Sequence, residues 1–450
     1  MRILPLLPLL AGLLCVSAAQ ADQDQLVVNT AIDGPVLKFD WPALQIGIGS
    51  YEEGPTGLTI FRFRDRATAV VDVRGGAPGT VNTDLLRLGY PSRFVDAIVF
   101  SGGSAYGEEA ITAAMTGLKD DGERSGAWTN IGLAAGAIIY DFQGHRLNEI
   151  YPDKRLAQAA LHDLRAGVFP LQAQGAGRMA MQGGFFGCAA HSGQGGAFRQ
   201  FGDTKVAAFV VINALGAVTD RDGRMVKCHR NPAWGDLTRT SDLLGRAIEQ
   251  AVSPPAVGPS ANTTISLVVT NRRMSPADLQ RLAVEVHTSM ARAIQPFSTY
   301  QDGDTLYAVS TQEVGEPTTR PSLMALDVAA AETMWDAILA SVPDEPDASL
   351  PPEATVPPER LVGLAGQYRF GPHATLEVWV QDGKLMLRLS GERFFDLLPE
   401  PVVLHPTSAT AFYVESRYHT RLAFTVDAGG HATGATVNPG RWAEYGKRLP

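Results

Sequence analysis

The segment that decides the fold lies at residues 253–270 and has the sequence SPPAVGPSANTTISLVVT. Its first half is rich in proline and glycine, which interrupt regular helices and strands, and it therefore predicts an irregular loop. From Thr263 onward the residues are mostly β-branched or apolar, which predicts a buried strand. We therefore expect Thr263 at the first position of a core strand, directly after a loop.

Two interpretations of this junction fit the residues. The simpler one is a loop followed by a core strand, because such junctions are ordinary in globular proteins. The other is self-cleavage of the bond between Asn262 and Thr263. A threonine with a free amino group can use that amine as the base for its own hydroxyl, so cleavage here would create a nucleophile.

The composition limits the class of protein. The chain has 450 residues, of which 45% are hydrophobic and 19% are charged, as in soluble globular proteins. This length predicts one large domain and one smaller domain. The formal net charge of −9 argues against a nucleic-acid partner, and no basic cluster offsets it.

Residues 1–21 have the features of a secretory signal peptide. Arg2 supplies a positive charge, an apolar run follows at residues 3–16, and Ala19-Gln20-Ala21 is a small-x-small cleavage site. A membrane anchor is disfavoured because the run is short for a bilayer and contains two prolines. We therefore expect a periplasmic or secreted protein that has no membrane association after the signal is removed.

Two cysteines, Cys188 and Cys228, follow the signal segment. An exported compartment permits a disulfide between them, but two buried free thiols fit the sequence equally well. Neither cysteine has the spacing of a metal site, and we expect no metal and no cofactor.

Residues 22–342 alternate strand and helix patterns and predict an α/β domain. Residues 56–63 and 67–73 predict two short strands separated by a charged turn. Residues 136–142 predict another strand, which holds Tyr140.

Polar side chains accompany two further predicted strands. The apolar strand at residues 206–214 contains Asn213, whose amide needs either a buried partner or a catalytic role. Asp302 and Asp304 precede a predicted strand at residues 305–310. Two carboxylates at i and i+2 can share one face of an extended segment and orient an amine and a hydroxyl, although an ordinary acidic turn has the same pattern.

The composition changes near the end of this domain. Residues 343–358 contain six prolines and several acidic residues, which predict a linker. Residues 359–450 then alternate strands and turns and predict a small antiparallel β-barrel or sandwich domain without a catalytic constellation.

Several short motifs occur in the order that is typical of one enzyme family, within residues 36–340. They are YEEGPTG at 51–57, VDVRGG at 71–76, IYDF at 139–142, YPDK at 151–154, GQG at 193–195, NTTIS at 262–266, QPF at 295–297 and DGDT at 302–305. With these motifs the chain resembles the DmpA-type aminopeptidases, the β-peptidyl aminopeptidases of peptidase family S58. Within that family it is most similar to the endo-type 6-aminohexanoate (nylon) oligomer hydrolases. The C-terminal module resembles the small β-rich domains appended to exported serine hydrolases.

The resemblance implies an αββα sandwich of the N-terminal-nucleophile type, often assembled as a tetramer. It also implies autocleavage directly before Thr263, which would be the nucleophile. The family's oxyanion-binding asparagine corresponds to Asn213, and its pocket tyrosine corresponds to Tyr140. Its two acidic positions correspond to Asp302 and Asp304, which would hold the threonine hydroxyl and ammonium in place.

The chain departs from the nylon-hydrolase branch at one position. That branch has a lysine after a Gly-Ala-Gly segment, whereas in this chain Gly175-Ala176-Gly177 is followed at the matching place by Gly184. The loss of this cation would weaken self-cleavage or turnover, or would change the choice of substrate.

Three hypotheses follow from the sequence. The leading one is an exported, self-processing amide hydrolase that acts as an aminopeptidase on short peptides or amides. The second is a non-catalytic peptide-binding protein on the same scaffold, suggested by Gly184 and the additional β-domain. The third is an acyltransferase of the ornithine acetyltransferase type, which export disfavours because the metabolites concerned are cytoplasmic.

Overall fold

The computed structural model describes the chain at residues 25–90, 93–122, 130–142, 150–186, 190–227, 237, 239–249, 262–315, 320–343, 352–370, 374–391, 401–414, 421–437 and 443–450. The predicted signal peptide, both cysteines and the proline-rich part of the loop before Asn262 lie outside these ranges. No helix within them is long and apolar enough to cross a membrane.

The strands before residue 343 are β1 (Val36–Lys38), β2 (Leu44–Tyr51), β3 (Thr56–Val73), β4 (Thr80–Val81), β5 (Phe94–Ser101), β6 (Ala134–Ile138), β7 (Arg165–Ala166), β8 (Val168–Pro170), β9 (Met181–Gln182), β10 (Ala190–His191), β11 (Gln194–Phe201), β12 (Thr204–Asn213), β13 (Ala217–Val218), β14 (Thr263–Arg272), β15 (Ile294–Gln295) and β16 (Thr305–Val314). The α-helices are α1 (Glu108–Asp120), α2 (Lys154–His162), α3 (Thr240–Glu249), α4 (Pro276–Ser289) and α5 (Arg320–Ala340). Short 3₁₀ helices lie at Thr83–Leu86, Ser104–Gly107, Gly175–Gly177, Gly184–Phe186 and Met290–Arg292.

One mixed sheet organises this part of the chain, with the strand order β11-β12-β14-β16-β3-β5-β6-β4 and with β2 also paired to β3. The long strand β3 joins its two halves, because its first part pairs with β2 and its last part pairs with β16. The prediction of two separate strands at residues 56–63 and 67–73 is wrong. The charged residues between them stay in the extended chain, and only the register against β5 shifts between Arg62 and Ala67.

A core of apolar side chains separates the two halves of the sheet. The residues facing this core come from β2, β3, β5 and β6 on one side and from β12, β14 and β16 on the other. At its centre the ring of Phe209 lies 4.7 Å from that of Phe169 and 5.0 Å from that of Phe61, measured between centroids. Strands buried on both faces need continuous apolar sequences, which explains the composition of β12 and β14.

Helices cover the two outer faces of the sheet. Helices α1 and α2 pack on β2, β3, β5 and β6 through one apolar cluster, and helices α4 and α5 pack on β12, β14 and β16 through another. Helix α4 begins with Pro276 at its first turn, and the Ser275 side chain caps it by accepting the Asp278 N–H at 3.1 Å. The layers therefore follow the order αββα, which confirms the predicted sandwich.

The end of the chain forms a unit that consists of one short helix and eight β-strands. Its elements are helix α6 (Pro358–Val362) and strands β17 (Gly366–Phe370), β18 (Ala374–Gln381), β19 (Lys384–Gly391), β20 (Val402–Pro406), β21 (Ala411–Tyr413), β22 (Arg421–Val426), β23 (Ala432–Val437) and β24 (Glu444–Arg448). Strand β17 pairs with both β18 and β24, so the antiparallel sheet closes into a barrel. Buried Leu, Val, Phe and Tyr side chains pack inside it as one cluster.

We predict that Phe209→Ala will destabilise the chain by about 3–5 kcal/mol, because it removes a fully buried ring from the core between the two sheet halves. The measurement is the free energy of unfolding from denaturant titration. Phe201→Ala is the matched control, since that ring is 39% exposed at the end of β11. An equal loss of stability in both variants would contradict the assigned position of the core.

Candidate active site

Thr263 is the first residue of β14 and lies opposite Asn213, the last residue of the neighbouring antiparallel strand β12. The two residues are 3% and 4% exposed, respectively. On its other side β14 pairs with β16 in parallel, and a backbone bridge joins Asn262 to Asp302. The ends of three central strands therefore bring together the site residues predicted from the sequence, which are Asn213, Thr263, Asp302 and Asp304.

Two donors meet at the carbonyl oxygen of Asn262, in the peptide bond that precedes Thr263. The Thr263 hydroxyl donates to this oxygen at 2.7 Å, and the backbone N–H of Gly303 also donates to it at 2.7 Å. Donation from an N–H polarises a carbonyl and stabilises negative charge on its oxygen. The hydroxyl and the carbonyl that it would attack are therefore already in contact in the uncleaved chain.

Gly303 was not identified as a functional residue from the sequence. A Cβ atom at this position would lie 2.7 Å from Thr263 Oγ and 2.7 Å from the carbonyl oxygen of Ala77, which are both too close for a side chain. The signal available in the sequence is a glycine between two aspartates at the start of a strand. That pattern alone does not distinguish this site from an acidic turn.

Asp304 is buried and its carboxylate accepts two backbone N–H groups. Its Oδ1 accepts the N–H of Thr264 at 2.6 Å, and its Oδ2 accepts the N–H of Ser298 at 2.9 Å. Asp304 therefore contacts the residue directly after Thr263 and holds the beginning of β14 in place.

Asp302 is buried beside it and holds two other segments. Its Oδ1 accepts the N–H of Leu215 at 3.3 Å, and its Oδ2 accepts both the N–H and the hydroxyl of Thr299, at 3.0 and 2.6 Å. The hydrogen bonds that the structure gives to Asp302 and Asp304 fix the backbone around Thr263, and none of them reaches the Thr263 hydroxyl.

Burial of the two carboxyl groups changes their titration. Burial, together with the negative charge of Asp302, raises the pKa of Asp304 to about 7. Burial also raises the pKa of Asp302. Burial and the charge of Asp302 therefore favour the protonated form of Asp304.

The Asn213 side chain is held between two backbone groups. Its Nδ2 donates to the carbonyl oxygen of Tyr140 at 3.0 Å, and its Oδ1 accepts the N–H of Met181 at 3.1 Å. An amide nitrogen carries two hydrogens, so one N–H of Asn213 remains for a substrate oxygen. The asparagine at the end of β12 thus has the structural partners that the sequence offered as one alternative, and its catalytic role stays a prediction.

Tyr140 contacts this asparagine through its backbone carbonyl. It lies outside the strands. Strand β6 ends at Ile138, so the predicted strand at residues 136–142 is too long. The Tyr140 ring is half-buried and packs edge-on against Phe142, with centroids 5.6 Å apart. The chain leaves the sheet here because its backbone bonds to the side chain of Asn213 and to the turn at Ser104 instead.

A glycine-rich loop supports the aspartate pair from behind. The N–H groups of Arg74 and Gly75 donate to the Asp304 carbonyl at 3.1 and 3.2 Å, and the N–H of Ala77 donates to the Asp302 carbonyl at 2.8 Å. A Cβ atom on Gly75 would lie 2.2 Å from the Asp304 nitrogen, so only glycine permits this approach.

A buried ionic cluster links this loop to helix α4. The Asp72 carboxylate contacts His287 Nδ1 at 2.8 Å and Arg74 Nε at 2.6 Å. Burial alone would raise the pKa of Asp72, but these hydrogen bonds lower it, so that Asp72 is the anion of the cluster. His287 was not identified from the sequence, because its partner is 215 residues away.

Gly184 stands where the resemblance implies a lysine. A Cβ atom there would be 3.7 Å from Leu215 Cδ1 and 4.0 Å from the Leu215 carbonyl oxygen, which are ordinary contact distances. The N–H of the same Leu215 donates to Asp302, so one residue links the two segments.

The site combines a hydroxyl at the start of a core strand, a polarised carbonyl and two buried carboxyl groups. Within the described ranges no three His, Cys, Asp or Glu side chains converge to hold a metal ion. The four-layer αββα arrangement, with this site at the ends of three central strands, is the fold that the sequence motifs implied.

Comparison with known proteins gives the family. The model described as Peptidase family S58 matches residues 39–346, which is more than half of the chain. The 6-aminohexanoate-oligomer endohydrolase of Paenarthrobacter ureafaciens is 41% identical over 313 residues, 68% of this chain and 85% of that protein. A Mycobacterium tuberculosis protein described as an uncharacterised aminopeptidase is 33% identical over 323 residues, 66% of this chain and 88% of that protein. The chain belongs to peptidase family S58.

Solved structures were compared as well. A β-aminopeptidase of a Burkholderia species covers 71% of this chain and 90% of its own, with 17% identity and a TM-score of 0.48. The L-aminopeptidase D-Ala-esterase/amidase of Ochrobactrum anthropi covers 69% and 88%, with 18% identity and a TM-score of 0.49. The family assignment confirms that the chain is an amide hydrolase, as the sequence predicted.

We predict that Asp304 makes a contribution to the free energy of unfolding of the intact chain that falls as the pH rises from about 4 to about 7. The folded chain keeps Asp304 protonated up to about pH 7, whereas the unfolded chain ionises it near 3.8, so folding takes up a proton in this window. One such group contributes at most about 1.4 kcal/mol per pH unit. Asp304→Asn should reduce this slope, as measured by denaturant titration in the Thr263→Ala background.

The slope also contains a contribution of the same sign from Asp302, so the difference between the two chains isolates Asp304. Asp65→Asn removes an exposed carboxylate of β3 and is the control. A slope that is identical in the parent and in Asp304→Asn would show that this carboxyl is not protonated in the folded chain.

Proposed function

We propose that the chain is an exported amide hydrolase that cleaves itself between Asn262 and Thr263 and then uses Thr263 as an N-terminal nucleophile. The observation that supports this most directly is the contact of the Thr263 hydroxyl with the Asn262 carbonyl, together with the N–H of Gly303 on the same oxygen. A hydroxyl within reach of the peptide group and a donor on the carbonyl oxygen are two of the conditions for attack on a peptide carbonyl.

Self-cleavage begins when Thr263 Oγ attacks the carbonyl carbon of Asn262. The C–N bond to Thr263 breaks, the hydroxyl proton goes to the departing nitrogen, and an ester to Oγ replaces the amide. Water then hydrolyses the ester, which releases the carboxylate of Asn262 and leaves Thr263 with a free hydroxyl and a free amine.

Turnover of a substrate repeats the same chemistry on another amide. The α-amine of Thr263 takes the proton from Oγ as this oxygen attacks, and it passes the proton to the leaving amine. The free N–H of Asn213 donates to the substrate, and water hydrolyses the resulting ester. When this amine is protonated, its positive charge would favour the ionised forms of Asp302 and Asp304.

The proposed substrate class comes from the names of the relatives. The relatives are named as hydrolases of 6-aminohexanoate oligomers or as aminopeptidases, and we propose short peptides or linear amides as substrates. Gly184 lacks the cation of the oligomer-hydrolase branch, so we favour peptides over nylon oligomers.

Export and assembly are further parts of the proposal. The segment that ends at Ala21 would be removed during transport to the periplasm or the exterior, so the mature chain would start at Asp22. We also propose a homo-oligomer, with a tetramer as the expected state. Intact-mass spectrometry of the exported protein reports the first point, and light scattering reports the second.

We predict that the purified protein consists of two fragments, the second of which begins with Thr263. Thr263→Ala should give one intact chain and lower amidase activity by about 10³-fold or more, because it removes the nucleophile of both reactions. Denaturing gels, mass spectrometry and release of product from amino-acid amides and short peptides are the measurements. Thr263→Ser should retain cleavage.

Ser266→Ala is the matched control for this prediction. Its hydroxyl is buried in the same strand and donates to the carbonyl of Thr305 at 3.3 Å, away from the scissile bond. Cleavage and activity should remain at the parental level in this variant. An intact parental chain with full peptidase activity would refute self-cleavage as a requirement.

We predict that Gly184→Lys, which restores the lysine of the oligomer-hydrolase branch, accelerates self-cleavage by about tenfold, because a cation that reaches the site would stabilise developing negative charge by about 1.4 kcal/mol. The position accepts a side chain without a clash. The rate is measured from the disappearance of the intact chain after refolding. Gly184→Gln has similar length without the charge and should cleave at the parental rate; equal acceleration by both would exclude an effect of charge.

A further inference from the structure

We propose that the backbone N–H of Gly303 is the oxyanion donor in self-cleavage and that it binds the carbonyl oxygen of the substrate in the cleaved enzyme. This inference rests on the proposed function and assigns a catalytic role within it to a group that carries no side chain. Its evidence is the 2.7 Å hydrogen bond from this N–H to the Asn262 carbonyl oxygen.

Of the two donors on this oxygen, only one persists during the reaction. The other donor is the Thr263 hydroxyl, which becomes the nucleophile and gives up its proton to the departing nitrogen. As Oγ bonds to the carbonyl carbon, negative charge develops on the oxygen that the Gly303 N–H already faces. This N–H is therefore in place before the charge appears, which is the condition for efficient stabilisation.

The turn that carries this N–H is held on both sides. The carbonyl of Asp302 accepts the N–H of Ala77 at 2.8 Å, and the carbonyl of Asp304 accepts the N–H of Arg74 at 3.1 Å. Both carboxylates are also bonded to backbone N–H groups of neighbouring segments. A donor fixed in this way does not need to reorganise when charge develops.

The Asn213 side chain is the alternative oxyanion donor, but in the intact chain its hydrogen bonds are to other groups. Its Nδ2 donates to Tyr140, and its Oδ1 accepts from Met181. Asn213 thus lies opposite Thr263, but its described hydrogen bonds do not include the Asn262 carbonyl oxygen, whereas the Gly303 N–H donates to it. Asn213 is left as a second donor for turnover.

The two reactions share an intermediate, which extends the role from self-cleavage to turnover. In self-cleavage the ester on Thr263 Oγ carries the preceding chain as its acyl group, and in turnover it carries the acyl group of the substrate. In both cases the carbonyl carbon of the ester is bonded to Thr263 Oγ. Water attacks this carbonyl carbon in both reactions, and the Gly303 N–H donates to the carbonyl oxygen each time.

A side-chain substitution cannot test this cleanly, because a Cβ at position 303 would displace Thr263 Oγ. The variant is therefore an ester at position 303, made by incorporating glycolic acid in place of glycine in the full chain. It replaces the N–H by oxygen, and it also weakens the Asp302 carbonyl as an acceptor for the N–H of Ala77, as the control described next weakens the Ser101 carbonyl that accepts the N–H of Ile139. Removing one oxyanion donor slows a reaction by about 10²–10³-fold, which is the expected loss in the self-cleavage rate.

The control is the same amide-to-ester change at Gly102, whose N–H donates to the carbonyl of Gly57 at 2.9 Å, outside the site. It should cleave at the parental rate with a similar thermal midpoint. A parental chain that does not cleave refutes the proposed function itself. A parental chain that cleaves while the 303 ester variant cleaves equally fast overturns only the role of Gly303.

The cleaved form of the 303 variant, which accumulates on long incubation, tests turnover. We expect kcat to fall by about 10²–10³-fold with little change in KM, since the bond strengthens only as charge develops. An unchanged kcat would overturn the second half of the proposal.

A measurement on the unmodified cleaved enzyme covers the case in which the ester variant does not fold. A peptide aldehyde that forms a hemiacetal with Thr263 Oγ should shift the amide proton of ¹⁵N-labelled Gly303 downfield. No shift on formation of the adduct would overturn the proposal.

Discussion

The parallel pairing of β14 with β16 is the constraint on which the site depends. Because the two strands run in the same direction, their first residues lie at the same edge of the sheet, and Ile265 pairs with Thr305. The register then brings Asn262 next to Asp302 and places the Gly303 N–H on the carbonyl oxygen of Asn262. A shift by one residue would turn every side chain to the opposite face and separate the hydroxyl from this turn.

Much of the fold follows from the sequence because its signals are local. The β-branched residues after Asn262 predict the start of β14, which occurs where expected. The family motifs also predict the αββα layers. Local patterns failed where distant pairing decides the structure, as in the unbroken strand β3, which is held by β2, β5 and β16.

The same limit applies to the site. The sequence singled out side chains with familiar chemistry, but one of the two donors on the Asn262 carbonyl oxygen is the backbone N–H of Gly303, which no residue type reveals. The pairing of Asp72 with His287 and the contact of Gly75 with Asp304 also depend on segments more than 200 residues apart in the sequence. Such contacts follow from the register of the central strands and are visible only once that register is known.

The order of strands has a consequence for the chain after cleavage. Strands β11, β12, β3 and β5 precede the bond between Asn262 and Thr263, whereas β14 and β16 follow it and lie between β12 and β3 in the sheet. The two pieces would thus interleave within one sheet and share the core on both of its faces. Their separation would require breaking two full strand interfaces at the centre of the molecule, so a cut backbone and an intact fold are compatible. Cleavage would free one amine and leave the two polypeptides as a single folding unit.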